Sequence, residues 1–150
     1  MSQPIPLARG PRLPLRRRLA ALLAVTAARL LAGRPPRRIT VILRALRRGS
    51  TAATAEQAAA ARGDVTAVST LCAGEGCLQR SLATVLLCRL HGTWPAWCTG
   101  VRTDPFTAHA WVEVDGHPVG EPTGPGYYTP VIVVPPLTPP ASRPVPGPGT

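Results

Sequence analysis

Thr107-Ala108-His109-Ala110-Trp111-Val112-Glu113-Val114, followed by Asp115-Gly116, is the stretch that decides the fold of this chain. Its apolar and polar residues alternate with period two. His109, Trp111 and Glu113 therefore share one face of a strand, and Ala108, Ala110, Val112 and Val114 share the other. Asp-Gly ends the strand as a turn. Residues 96–102, 117–121 and 128–134 are short runs of the same kind, so everything after Gly92 reads as antiparallel strands.

Before Gly92 the period changes. Residues 15–32 form a broad apolar helix stopped by Gly33 and Pro35-Pro36. Residues 37–48 form a second helix, with Val41, Ile42, Ala45 and Leu46 at helical spacing and its arginines left in water, ended by Gly49. Thr54-Ala55-Glu56-Gln57 fits a capping box, in which the Thr hydroxyl takes an orphan amide and the Gln side chain returns to the cap N–H. That box starts a third helix over residues 55–71. Gly74 and Gly76 then break the chain, and Leu78, Leu82, Val85, Leu86 and Leu90 give a fourth helical stripe beginning at Cys77. Helices first and strands afterwards predict an α+β fold: N-terminal helices followed by a small antiparallel sheet.

The chain has 150 residues, enough for one domain, and a hydrophobic content of 45% supports a core. Eleven of its 19 prolines gather in the two end stretches, which offer almost nothing that could be buried. Residues 1–14 and 135–150 are accordingly expected to be disordered tails. The single domain spans 15–134, divided into an arginine-rich helical part, 15–50, and a catalytic core, 54–134. The formal charge of +10 rests on arginine alone. Most of it precedes Arg62, a one-sided field that suits an acidic peptide, nucleic acid or anionic lipid. Aromatics make up 4% and none is interleaved with those arginines, which argues against single-strand binding. Residues 19–33 are interrupted by Arg29 and are too short to span a membrane, and no clean signal-cleavage site follows, so a cytoplasmic protein is expected. In a reducing compartment Cys72, Cys77, Cys88 and Cys98 are expected to be free thiols.

A nucleophilic cysteine reacts as its thiolate and needs a neighbouring base. Cys77 sits where the unpaired amides and positive dipole end of a helix favour an anion, and Gly74 and Gly76 let backbone approach a substrate. His109 is the candidate base. The acid depends on a turn. A three-residue loop of Val114, Asp115 and Gly116 pairs His109 with Glu121 on one face, whereas a two-residue Asp-Gly turn pairs Ala110 with Glu121 and sends the carboxylate to the other face.

The stretches Cys72-Ala-Gly-Glu-Gly-Cys77-Leu-Gln-Arg-Ser81, Pro105-Phe-Thr-Ala-His109-Ala-Trp-Val-Glu113 and Pro118-Val-Gly-Glu121-Pro122 resemble the B2 proteins of lasso-peptide biosynthesis. Those proteins are leader peptidases in the transglutaminase-like branch of papain-fold cysteine peptidases. The resemblance implies that Cys77 attacks the bond between leader and core, that His109 is the general base and that Glu121 orients its ring. Many related domains have Asp in the third place. It also implies partners: the lasso precursor peptide, a separate leader-binding recognition protein, and an asparagine-synthetase-like cyclase. No cofactor and no metal is implied, and the spacing of Cys72, Cys88 and Cys98 does not make a zinc site.

The remaining polar and aromatic residues have plainer readings. Cys88 packs within its helix, Trp94 and Trp97 belong to the core or face a partner, Asp104 and Asp115 are turn residues, and His91 and His117 are surface residues. Arg80 either contacts a substrate carboxylate or is structural. Two other functions compete with a peptidase on these residues: a non-catalytic adaptor of the same fold, and a transglutaminase-type acyltransferase, since an amine can open the same acyl-enzyme.

Overall fold

The computed structural model describes residues 12–137. The tails expected at 1–14 and 135–150 lie outside the described residues except for 12–14 and 135–137, which form no helix or strand. Helix α1, Leu15–Ala32, ends at Gly33, and α2, Pro36–Leu46, starts one residue earlier than its arginines suggest. Pro36 takes the first helical position, where its missing N–H would have had no partner and its fixed φ already suits a helix. Helix α2 buries Ile39 and Leu43, while Val41 and Ile42 of the expected stripe are exposed. Both sets recur at helical spacing. Packing of α2 toward the last strand of the sheet selects the first.

Strand β1, Thr51–Ala52, is absent from the pattern because two residues carry no period. It pairs in parallel with β2, Thr93–Trp94. The capping box of α3, Ala55–Val68, is formed in both directions: Gln57 N–H donates to Thr54 Oγ1 at 3.1 Å, and Thr54 N–H to Gln57 Oε1 at 3.0 Å. Such a cap stabilises a helix by about 1 kcal/mol. The single helix expected over 55–71 is two. Ser69 turns extended and its hydroxyl accepts the Cys72 N–H at 3.2 Å, which starts α4, Thr70–Ala73. Helix α5, Cys77–Leu90, begins at the expected residue.

The sheet is antiparallel in the order β5-β4-β3-β6, with β3 Ala96–Thr103, β4 Phe106–Val114, β5 His117–Pro118 and β6 Thr129–Val134. The architecture is α+β, as the change of period predicts. Helix α5 is the centre of the molecule. It packs on α1 and α3 on one side and on β4 on the other. The small buried residues of α1, Ala21, Ala24 and Ala28, let the helices approach closely, while Leu82, Val85 and Leu87 of α5 meet Trp97, Val112 and Val134 of the sheet in one core. Trp94 and Trp97 are core residues. Their indole N–H groups donate to Val134 O and Ser81 Oγ, each at 3.1 Å, so burial leaves neither polar tip unpaired.

Buried Asp64 of α3 is likewise paired. Arg17 of α1 grips both its oxygens, Nη2 to Oδ1 at 2.6 Å and Nε to Oδ2 at 3.1 Å, and ties the two helices together. Arg89 caps the carbonyl end of α2 by donating to Leu46 O at 2.5 Å and Arg48 O at 3.2 Å. Among the described residues no helix is long and apolar enough to cross a membrane.

Candidate active site

Cys77 opens α5 behind a loop that the fold fixes tightly. A Cβ at Gly76 would lie 2.7 Å from Leu71 O, so the bend before the cysteine has room for glycine alone. From the first turn of α5, Arg80 reaches back and donates to Cys72 O at 3.1 Å and Gly74 O at 2.9 Å. Of its two readings, the structural one describes these contacts: Arg80 staples the loop that carries Cys77. The thiol of Cys77 is half-buried, whereas Cys72, Cys88 and Cys98 are buried, and all four are free. Burial pushes the Cys88 thiol up to about 12, with a hydrogen bond to Thr93 opposing it in part. The Cys98 thiol is raised further, first by burial and then by the neighbouring Glu113 carboxylate. Both are protonated and inert near neutral pH.

His109 lies in β4 on the face shared with Trp111 and Glu113. Its ring stacks on Tyr128 with centroids 4.9 Å apart and on Trp111 at 6.0 Å, so aromatic surface restricts its tilt from more than one direction. Trp111 is itself anchored, with its indole N–H donating to Glu113 Oε2 at 3.1 Å. His109 Nε2 lies 2.9 Å from Glu121 Oε2. The Glu121 carboxylate is only 6% exposed.

The hairpin that delivers Glu121 differs from the three-residue loop that would place it directly across from His109. Asp115 and Gly116 both have positive φ, 53° and 78°, and Val114 pairs with His117 and Glu113 with Pro118. This is the two-residue turn, whose backbone twist matches that of the strands. In an unbroken ladder it would send Glu121 to the far face. The ladder is broken. After the Val119 N–H donates to Val112 O at 2.9 Å, Gly120 turns the chain with φ of 67°, strand alternation stops, and the Glu121 side chain swings back to His109.

Asp104 and Asp115 occupy the turns at the two ends of β4. The structure thus joins His109 and Glu121 directly. Cys77 stands at the end of a helix that packs on the strand of His109, and among the described residues no hydrogen bond links its thiol to the imidazole. An independent link between the two halves is Arg62 of α3, which was not singled out in the sequence. Its Nη2 lies 3.8 Å from Glu121 Oε1. Its pKa is lowered by burial, with the Glu121 charge opposing that shift and the Arg80 charge adding to it. Arg80 and Cys77 are three residues apart, neighbours on one helix face. Arg62 therefore senses both the first turn of α5, which begins at Cys77, and the carboxylate that contacts His109.

Tyr128 is a second residue the sequence reading missed as part of the site, since an adjacent Tyr127-Tyr128 pair has no spacing signature. With His109, Trp111, Glu121 and the 123–126 turn it walls a cavity of about 210 Å³ beside the histidine. The arrangement supplies a thiol at a helix N-terminus and an imidazole whose Nε2 is engaged by a buried acid, leaving Nδ1 for proton exchange.

A family model described as the transglutaminase-like superfamily matches residues 21–133, and the chain belongs to that superfamily. Searches of curated proteins and of solved structures each returned no match.

Proposed function

From this membership we propose that the chain is a cysteine peptidase that removes the leader from a lasso-peptide precursor, with Cys77 as nucleophile, His109 as base and Glu121 as the acid that orients the ring. The superfamily includes cysteine peptidases and acyltransferases. The observation that carries the reading is the 2.9 Å contact of His109 Nε2 with Glu121 Oε2. It ties up the ring nitrogen that a Cys-His-acid site would commit to its acid and leaves the other for the thiol.

The chemistry then runs through an acyl-enzyme. Nδ1 of His109 takes the Cys77 proton as Sγ attacks the carbonyl of the leader–core bond. The imidazolium, stabilised by Glu121, returns a proton to the departing amine, and the C–N bond breaks to leave a thioester. His109 then activates a water that opens the thioester, freeing the leader as a carboxylic acid and restoring the thiol. An amine in place of that water would give acyl transfer, the second chemistry the same residues support.

The surface of α1 and α2 supports a partner-dependent enzyme. Leu30, Arg34, Arg38, Ile42 and Leu46 line a groove in which exposed apolar side chains alternate with arginines. Such a groove suits a leader-binding recognition protein that presents the precursor to a cytoplasmic peptidase, with an asparagine-synthetase-like cyclase acting on the product. The adaptor reading predicts partner binding without chemistry. Incubating the purified chain with a precursor peptide, with and without the recognition protein, and weighing the products tests this function. Cleavage that survives Cys77→Ala would overturn it.

A further inference from the structure

We propose that Arg62 is a positioning residue of this site: it pins the Glu121 carboxylate through its second oxygen, so that the first stays on His109 Nε2. The inference rests on the Cys77–His109–Glu121 reading and extends it to a residue that no motif contains.

Glu121 lies beyond the last paired residue of β5, so no ladder hydrogen bond fixes its backbone register. Something else must hold it. Its carboxylate is divided between two partners, Oε2 on His109 at 2.9 Å and Oε1 facing Arg62 Nη2 at 3.8 Å. A separate contact holds the backbone on which Glu121 stands. A Cβ at Gly120 would come within 2.8 Å of Arg62 Cδ and 2.9 Å of its Nε, so the arginine stem lies flat against the residue that turns the chain. Arg62 thus touches both the bend that redirects Glu121 and the carboxylate that the bend delivers.

The surrounding charges agree with this role. Arg80 approaches Arg62 from α5 with the same sign, while the ionised Glu121 favours the charged guanidinium. The guanidinium remains charged because an arginine does not lose its proton in a protein. It is therefore drawn toward Glu121 and away from the helix that bears Cys77. The consequence falls on His109. In the other tautomer Nδ1 would carry the proton and Nε2 would turn a lone pair toward the acid, so the thiol would meet a donor where it needs an acceptor. A carboxylate free to swing away would leave either tautomer open. One held against Nε2 can only accept there, and so favours the tautomer with Nε2–H donated to it.

The test uses the full chain labelled with ¹⁵N. The ¹⁵N shifts of the His109 ring report its tautomer, and cleavage kinetics and Cys77 alkylation by iodoacetamide report the site. Arg62→Met keeps the stem that packs on Gly120 and removes the charge. It is expected to lower kcat about tenfold with KM unchanged, as removal of a group that supports a ligand-orienting residue does, and to reduce the Nε2–H tautomer of His109. Arg62→Lys, which keeps the charge and asks least of the fold, should recover part of both. A purely structural role would change thermal stability and leave the tautomer alone. Wild-type tautomer and kcat in folded Arg62→Met overturn the inference; should Arg62→Met fail to fold, the same two readouts at the wild-type level in Arg62→Gln, which also lacks the charge, overturn it. His109→Ala separates this failure from the larger one. If it leaves Cys77 alkylation unchanged, the triad reading itself falls; if it slows alkylation while Arg62→Met changes nothing, only Arg62 loses its role.

Discussion

Glu121 contacts His109 at 2.9 Å although the two are not cross-strand partners. The strand register alone would separate them, and the backbone turn at Gly120 reunites them. An acid placed by a turn is held less rigidly than one in a ladder, which makes it sensitive to its own substitution and to that of its neighbours.

Glu121→Gln is expected to keep the fold and reduce turnover by about 10²- to 10⁴-fold, because an amide stabilises the imidazolium poorly and accepts the wrong tautomer. His109→Ala should be more damaging, since it removes the proton carrier. Asp104→Asn and Asp115→Asn should cleave at wild-type rates, both residues lying in turns away from the ring. Measured cleavage rates of the four folded variants check the order. A normal rate in Glu121→Gln beside a large loss in either aspartate variant would transfer the orienting role.

Iodoacetamide near neutral pH should label Cys77 first. Cys72, Cys88 and Cys98 are buried, and Cys88 and Cys98 hold their protons well above the ordinary thiol range. Faster labelling of any of these three in the folded protein, read by peptide mass mapping, contradicts the assignment.

The same burial links Cys88 to alkaline stability. In the unfolded chain its thiol ionises near its ordinary value of 9.0, and burial in the folded chain pushes it up to about 12. A raised folded value means the neutral thiol is favoured by folding. That contribution is present in full below about 9 and is lost progressively as pH rises toward 12. Cys88→Ala removes this contribution. Its melting temperature should therefore fall less than that of the wild type between pH 9 and 11, as thermal melts across that range will show.

Cleavage should accelerate on the order of a hundredfold when a leader-binding partner presents the substrate, because presentation turns a two-body encounter into a nearly intramolecular one. Ile42→Glu, which puts an acid into the groove between α1 and α2, should remove most of that acceleration and leave the unassisted rate unchanged. Equal rates with and without the partner would mean that the chain recognises the leader unaided.

Arg80→Ala should destabilise the protein by about 2 kcal/mol, since it removes two charged hydrogen bonds to the loop carbonyls of Cys72 and Gly74. It should also lower kcat more than it raises KM, because the loop it anchors positions Cys77. A large rise in KM for acidic substrates with unchanged stability would instead give Arg80 the substrate-binding role.

The sequence by itself determined the elements whose causes are local. Periodicity separates the helical half from the strands, the Thr54–Gln57 box starts α3, and the glycines before Cys77 put that residue at a helix start. The same local signals single out Cys77 and His109. Other features depend on which of several locally acceptable arrangements packs best. Helix α2 has two apolar faces at helical spacing, and contact with β6 selects Ile39 and Leu43. Residues 55–71 have a helical pattern throughout, and the Ser69 hydroxyl splits it by capping α4. The turn at Asp115-Gly116 was legible as one of two alternatives, but either register follows a strand rule that ends where the strand ends. Glu121 stands past that point. Its position is decided by the bend at Gly120 and by Arg62, a residue 59 positions away in the chain that meets it only when α3 folds against the sheet. Spacing along a sequence carries no trace of such a contact, because the energy that selects it comes from surfaces that exist only after the helices and the sheet have come together.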